Sequence, residues 1–193
     1  MKRRILLSIV ALAVLVSSLG FAPAPQADKD KDKDHAKDFT ATIALQQDKV
    51  VNVPLGGNQW RTTEEVFSGK VTSSSWPAIA DATVKMNGTT DYTLDPIMFD
   101  PITYLPIAFV IKGTTKQTME IITKKGTLKM RGRGTIEGTI PFGADINMVW
   151  ESSRGTGKME DIDVEAKMKA NFTWLSLPPS GIATMNGIYD KDD

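Results

Sequence analysis

Cysteine is absent from the 193-residue sequence, and histidine occurs only once, at position 35. Without cysteine the chain can form no disulfide, no zinc–thiolate site and no cysteine nucleophile. A Ser-His-Asp triad would have to use His35, because the sequence offers no second histidine. Residues 39–193 contain neither residue type, so their chemistry is restricted to carboxylates, amines, hydroxyls and apolar surface. We therefore expect no cofactor, no metal site and no catalytic residues, and binding is favoured over catalysis.

The sequence also lacks an excess of charge of either sign, with 23 Lys and Arg against 23 Asp and Glu. Both signs are scattered along residues 39–193, where no basic stripe stands out in the linear sequence. Nucleic-acid binding proteins usually carry such a stripe or patch. We therefore expect no nucleic-acid partner.

The first 27 residues have the layout of a secretory signal peptide. Three basic residues at positions 2–4 precede an apolar run over 5–16, and residues 17–27 are rich in small residues and proline. This run is shorter than the roughly 20 residues that span a bilayer. We expect export to the periplasm or the medium, with no stable membrane insertion after cleavage. An uncleaved membrane anchor is the alternative.

Residues 28–38 read DKDKDKDHAKD and contain no large apolar side chain. Such a tract has nothing to bury, so it predicts a charged, disordered linker, and His35 lies within it. Residues 39–193 are long enough to form one hydrophobic core. We predict that they form a single domain.

Alternation of apolar and polar residues dominates residues 39–193. The clearest example is 161–170, where every second residue is apolar and the others are charged. Shorter alternations recur along the chain to residue 189, and no stretch has a sustained helical repeat. Short strands at regular spacing predict an antiparallel all-β fold, either a closed barrel or a β-sandwich.

Glycine and asparagine supply the turn signals of this β domain. Asn87-Gly88 predicts a two-residue hairpin turn, and Lys125-Gly126 predicts a second hairpin. Gly132, Gly134 and Gly138 lie within or beside predicted strands, as expected where a barrel bends sharply. These glycines favour the barrel over the sandwich.

The region from about 117 to 189 resembles the allene oxide cyclase-like, or calycin-like, barrel family. The resemblance is carried by KGTLKMRGRGTIEG at 125–138, by an apolar strand ending in Trp150-Glu151, and by RGTGKM at 154–159. One departure is the lack of glycine in 160–169, where that family has more. The resemblance implies an eight-stranded antiparallel barrel with a cavity. It implies no activity, because no catalytic residue of the plant cyclase aligns here.

Residues 94–106, LDPIMFDPITYLP, are apolar yet contain three prolines. Proline removes a backbone donor and restricts the preceding residue, so this segment predicts an irregular loop rather than a strand or helix. One interpretation is a lid over the barrel mouth that contacts an apolar ligand, and the other is a plug that seals the barrel. The candidate ligand-binding residues are Ile97, Met98, Phe99, Tyr104 and Trp150.

Carboxylates and tryptophans supply the remaining candidates. Asp95 and Asp100 repeat an Asp-Pro unit, which is typical of turn initiation, although paired acids also serve catalysis. Trp150 is favoured for core packing because it shares a strand face with Ile146 and Met148. Trp174 leads into a Pro-rich connection at 174–179, which either contacts a partner or folds back onto the barrel.

Three hypotheses of function follow from these features. The first is an exported β-barrel that binds a small apolar molecule or serves as a stable envelope module. The second is a carboxylate enzyme of the cyclase or isomerase kind, using acids such as Asp95, Asp100 or Glu151 at the barrel mouth. The third is an envelope protein that contacts partners through strand edges or through residues 174–179. The oligomeric state is left open.

Overall fold

The computed structural model describes residues 36–191, which form one sheet of eight antiparallel strands. Each strand pairs with the next, and β8 pairs with β1, so the hydrogen bonds run around a closed ring. This confirms the prediction of an eight-stranded antiparallel barrel. The predicted signal peptide, residues 28–35 of the predicted linker and His35 lie outside the described residues. The strands are β1 (Lys37–Gly56), β2 (Gln59–Ser74), β3 (Thr83–Phe99), β4 (Pro106–Thr123), β5 (Gly126–Ile140), β6 (Gly143–Gly155), β7 (Ile162–Thr173) and β8 (Ser180–Lys191).

Strict alternation of residue type sets which side chains enter the barrel. In β7, every second residue from Ile162 to Phe172 is buried, and the intervening side chains are exposed. This is the two-residue period of a strand with one dry and one wet face. The inward rows of all eight strands meet in the centre and form one main apolar core.

Trp150 is among the largest side chains of this core and is completely buried. It packs over Gly132 on the neighbouring strand β5, where an added Cβ would come within 2.5 Å of the indole ring. The glycine therefore leaves the space that the indole fills. This confirms core packing as the role of Trp150, and the predicted position of Gly132 inside a strand.

The predicted hairpin turn at Asn87-Gly88 is wrong, because both residues lie in the middle of β3. Asn87 pairs with Val66 on one side and Thr118 on the other. Gly88 faces inward beneath Gln117, where an added Cβ would lie 2.6 Å from the Gln117 side-chain oxygen. The glycine here allows a close approach and not a turn. By contrast, the hairpin predicted at Lys125-Gly126 is confirmed between β4 and β5.

The prediction of an irregular loop over 94–106 is also wrong for most of its length. Residues 94–99 continue β3, β4 begins at Pro106, and only 100–105 form the connection. The last residue of β3 that pairs with β2 is Thr93, so Pro96 lies where that edge of β3 is free. Proline is tolerated at a free edge because its missing N–H interrupts no ladder.

The connections of an antiparallel barrel divide between its two ends. One end carries the connections after β1, β3, β5 and β7, and the other end carries those after β2, β4 and β6. Within residues 36–191 the only helical segment is the short 3-10 turn Gly157–Met159, so none of these residues forms a helix able to cross a membrane.

Candidate functional site

The end of the barrel that carries the connections after β1, β3, β5 and β7 is apolar and exposed. We call residues 53–58, 96–107, 140–143 and 174–179 the apolar end. Of the sixteen large apolar side chains exposed in the described residues, twelve belong to it: Val53, Leu55, Ile97, Met98, Phe99, Ile102, Tyr104, Leu105, Ile107, Phe142, Leu175 and Leu177. Concentration of such residues in one place indicates an interaction surface, whereas scattered ones need no explanation.

The hairpin formed by β3 and β4 extends beyond the rest of the barrel. The ladder of β3 with β2 ends at Thr93, and the ladder of β4 with β5 begins at Phe109. Residues 95–108 therefore form a two-stranded extension whose outer edges have no neighbouring strand. Ile102 and Tyr104, at its tip, are 85% and 78% exposed.

Asp100 organises the tip of this extension. One of its carboxylate oxygens accepts hydrogen bonds from the backbone N–H groups of Ile102 at 2.9 Å and Thr103 at 2.7 Å, and from the Thr103 hydroxyl. The backbone donors hold the pKa of Asp100 below its ordinary value. Asp100 thus acts as a turn initiator, as its Asp-Pro context predicts. Asp95 is exposed and accepts a hydrogen bond from Asn58.

The predicted ligand-binding residues divide between two places. Ile97, Met98, Phe99 and Tyr104 lie together on the extension, where each is about half exposed or more. Trp150 is buried inside the barrel and belongs to a different region. The structure therefore brings four of the five candidates together on an outer surface.

A cluster of polar side chains crosses the barrel interior between the main core and a smaller core at the apolar end. Its centre is the Glu65 carboxylate of β2. The Thr90 hydroxyl and the Gln117 amide each donate to one Glu65 oxygen at 2.8 Å, and the Gln47 amide donates to the other at 3.3 Å. Thr115 accepts a further hydrogen bond from Gln117 at 3.0 Å. The smaller core contains Ile111, Ile136 and Ala144.

Burial raises the pKa of Glu65, although hydrogen bonds from Thr90, Gln117 and Gln47 favour the charged form. Glu65 keeps some accessible surface, yet its carboxyl group is deep enough that desolvation outweighs those three bonds. Burial also raises the pKa of nearby Tyr92, and the charge of Glu65 raises it further. A carboxyl group with a raised pKa is a candidate general acid or base.

The space next to Glu65 is small. The cavity lined by Glu65, Thr90, Gln117 and the surrounding core has a volume of about 20 Å³. That volume accommodates one water molecule and no organic ligand. The side-chain oxygen of Gln117 is buried without a hydrogen-bond partner among the residues that the structure describes.

This polar cluster was not predicted from the sequence. Thr115 and Gln117 lie on the inward face of β4 with Met119 and Ile121, so polar residues on an otherwise apolar face were the available signal. Glu65 gave no such signal. A register shift between Thr62 and Glu65 changes which side chains of β2 point inward, and simple alternation does not reveal it. Glu151, a predicted candidate acid, is exposed on the outside of the barrel.

The fold and these surfaces define a closed eight-stranded antiparallel barrel with a nearly filled interior and one exposed apolar end. No family model matches the chain. Comparison with curated proteins and with solved structures gave no match either. The resemblance to allene oxide cyclase-like barrels therefore stays a prediction.

Proposed function

We propose that this protein is an exported binding module that attaches to a lipid surface through its apolar end. The observation that carries the proposal is the gathering of twelve exposed apolar side chains at one end of the barrel, on the connections and on the strand ends beside them. At the opposite end, the apolar side chains Trp76, Ile79 and Met159 are buried. The asymmetry distinguishes a specific surface from a generally apolar exterior.

The shape of the surface favours a lipid layer over a small ligand. Small molecules bind in concave sites that enclose most of their surface. The extension at 95–108 projects beyond the ladders with β2 and β5, and Leu177 on another connection is 94% exposed. Such side chains lose contact with water only if the partner surrounds them, as the interfacial region of a bilayer does.

The backbone of the extension disfavours a protein partner that adds a strand. Pro96 lies in β3 and Pro106 begins β4, while Pro101 lies between them. Pro96 and Pro106 lack the backbone N–H that an edge residue can offer to an added strand, and prolines are a common protection of free edges. A partner would therefore bind the extension through its side chains.

The charge of the apolar end favours neutral lipid headgroups. It contains no Lys and no Arg, and its only charged side chain is Asp100. Attraction to anionic lipids normally comes from clustered basic residues, each contributing about 1 kcal/mol near the surface. We therefore expect binding driven by apolar burial, with little dependence on salt or on anionic lipid.

Sedimentation with phosphatidylcholine vesicles tests the proposal. Replacing both Ile102 and Leu105 by asparagine should lower the partition coefficient about tenfold or more. Full burial of such a side chain contributes about 1.5–3 kcal/mol, and about 1.4 kcal/mol corresponds to a factor of ten.

The matched control replaces Val50 and Val149, which are exposed but lie outside the apolar end, by asparagine. This control should bind vesicles as the unchanged protein does. Any contribution of residues 1–35 is the same in all three proteins, so it cancels from the comparison. Equal binding by the test and control variants would contradict the proposal.

The hypothesis of an apolar ligand inside the barrel has weaker support. The remaining cavity of about 20 Å³ would have to enlarge, which requires movement of flexible lining side chains such as Met86, Met148 and Met168. An enzyme that uses a carboxylate faces the same limit. Glu65 is the acid that lines this cavity, and the space beside it has room for one water molecule at most.

A further inference from the structure

Strand register assembles a basic row on the outside of the barrel from cations that are separated in sequence. Lys116 of β4 lies directly opposite Arg133 of β5, and Arg133 lies opposite Val149 of β6. Val149 in turn lies opposite Lys167 of β7. These four residues occupy neighbouring positions on four adjacent strands. All four side chains point outward, because the residues next to them in sequence, Gln117, Gly132, Met148 and Met168, face the interior. No acidic residue belongs to this row.

The pairing of Lys116 with Arg133 places two positive charges side by side. Side chains directly opposite on adjacent antiparallel strands have Cβ atoms about 4.5–5.5 Å apart, and like charges in such pairs are destabilising. Within residues 36–191, the ion pairs shorter than 4 Å involve Lys49, Arg61, Lys70, Lys129 and Lys169. Lys116, Arg131 and Arg133 have no such acidic partner there.

A shallow groove of about 520 Å³ runs beside these cations. Lys116, Arg131 and Arg133 line it, together with the hydrogen-bonding side chains of Asn87 and Thr118. Glu151 also lines the groove and lies opposite Arg131 on the neighbouring strand. The bidentate hydrogen bonds from Arg61 lower the pKa of nearby Asp91, and the charge of Lys116 lowers it further. Three basic groups against one lining acid leave the groove positive.

We propose that this groove binds a ligand that carries a dianionic phosphate group. A phosphate offers several acceptor oxygens to the guanidinium groups and the ammonium group, which donate only. Two negative charges offset the repulsion between Lys116 and Arg133. The site is separate from the apolar end and does not depend on the proposed attachment to lipid.

Inorganic phosphate and glycerol 3-phosphate are the probes, each titrated into the full chain while backbone amide signals are followed by NMR. For exposed cations we expect a dissociation constant on the order of 1 mM. Shifts should be largest at residues 87–89, 116–118 and 131–133, and they should weaken as sodium chloride is raised. Equal affinity for both probes assigns the site to the phosphate alone, and tighter binding of glycerol 3-phosphate assigns it to a phosphate ester.

The variant Lys116→Gln/Arg133→Gln should bind both probes about tenfold or more weakly. Lys129→Gln is the control, because Lys129 is exposed on the same strand as Arg133 but already pairs with Glu120 at 2.7 Å. The control should keep its affinity, and the amide spectra of both variants report whether the barrel remains folded. The proposal is overturned if neither probe shifts the groove signals, or if a folded double variant binds as tightly as the control.

Discussion

Glu65 shows at the scale of one residue how a polar group is accommodated inside this barrel. Its carboxyl group receives hydrogen bonds from three neutral side chains, Thr90, Gln117 and Gln47. Removing a carboxylate from water costs free energy unless the group is paired with a cation or hydrogen-bonded. For Glu65, hydrogen bonds are the interactions that reduce this cost. The raised pKa shows that they offset it only in part.

Glu65→Gln should therefore change how stability depends on pH. The folded-state pKa of Glu65 is raised, so the unfolded chain releases this proton at lower pH than the folded protein does. Wherever the unfolded state binds fewer protons, the free energy of unfolding falls as pH rises. The stability is fully present below the unfolded pKa and is lost as pH rises through the folded pKa.

Urea unfolding of both proteins at several pH values from 4 to 8 measures this effect. The variant should become more stable relative to the unchanged protein as pH rises, since glutamine has no proton to release. Its amide still accepts hydrogen bonds from Thr90 and Gln117. A difference in stability that is constant across this range would show that Glu65 is not shifted.

Gly132 gives a second prediction at the residue scale. An added Cβ would come within 2.5 Å of the indole of Trp150, which is a rigid ring and is fully buried. Gly132→Ala should therefore lower the free energy of unfolding by about 1–3 kcal/mol, as overpacking usually does. At Gly143 the nearest atom to an added Cβ is 3.5 Å away, so Gly143→Ala is the matched control. Equal losses in the two variants would contradict this explanation.

Single strands mark the limit of what sequence patterns reveal about this protein. Alternation correctly identified β7, because its partners are regular and every second residue is buried. It failed for β3, where Asn87-Gly88 and three nearby prolines gave local turn and loop signals. Pairing of β3 with β2 and β4 overrides the turn preference of Asn87-Gly88. Pro96 is tolerated in β3 because it lies where the strand no longer pairs with β2.

The extension formed by β3 and β4 yields a prediction at the scale of the element. Asp100 satisfies the backbone N–H groups of Ile102 and Thr103, so Asp100→Ala should speed hydrogen exchange of these amides. The melting temperature should stay nearly unchanged, because residues 100–105 lie beyond the barrel ladders. Asp95→Ala, a nearby exposed acid without this role, should leave both amides as they are. Unaltered exchange in Asp100→Ala would mean that another group holds the tip.

At the scale of the whole molecule, closure of the barrel was predictable from the sequence, but the difference between its two ends was not. Repeated alternation and glycines within strands indicated a closed barrel. Which connections share an end follows only from the number and order of the strands, so the four segments of the apolar end could not be grouped from the sequence beforehand. The same holds for Lys116, Arg133 and Lys167, which only the register brings into one row.

Attachment of the apolar end to a lipid surface is the central claim, and hydrogen exchange of the full chain with and without phosphatidylcholine vesicles tests it most directly. Vesicles should slow exchange at residues 95–107 and 174–179, while residues 75–82 and 124–125 at the opposite end exchange as before. Protection that is absent from the apolar end, or equal at both ends, would contradict the account.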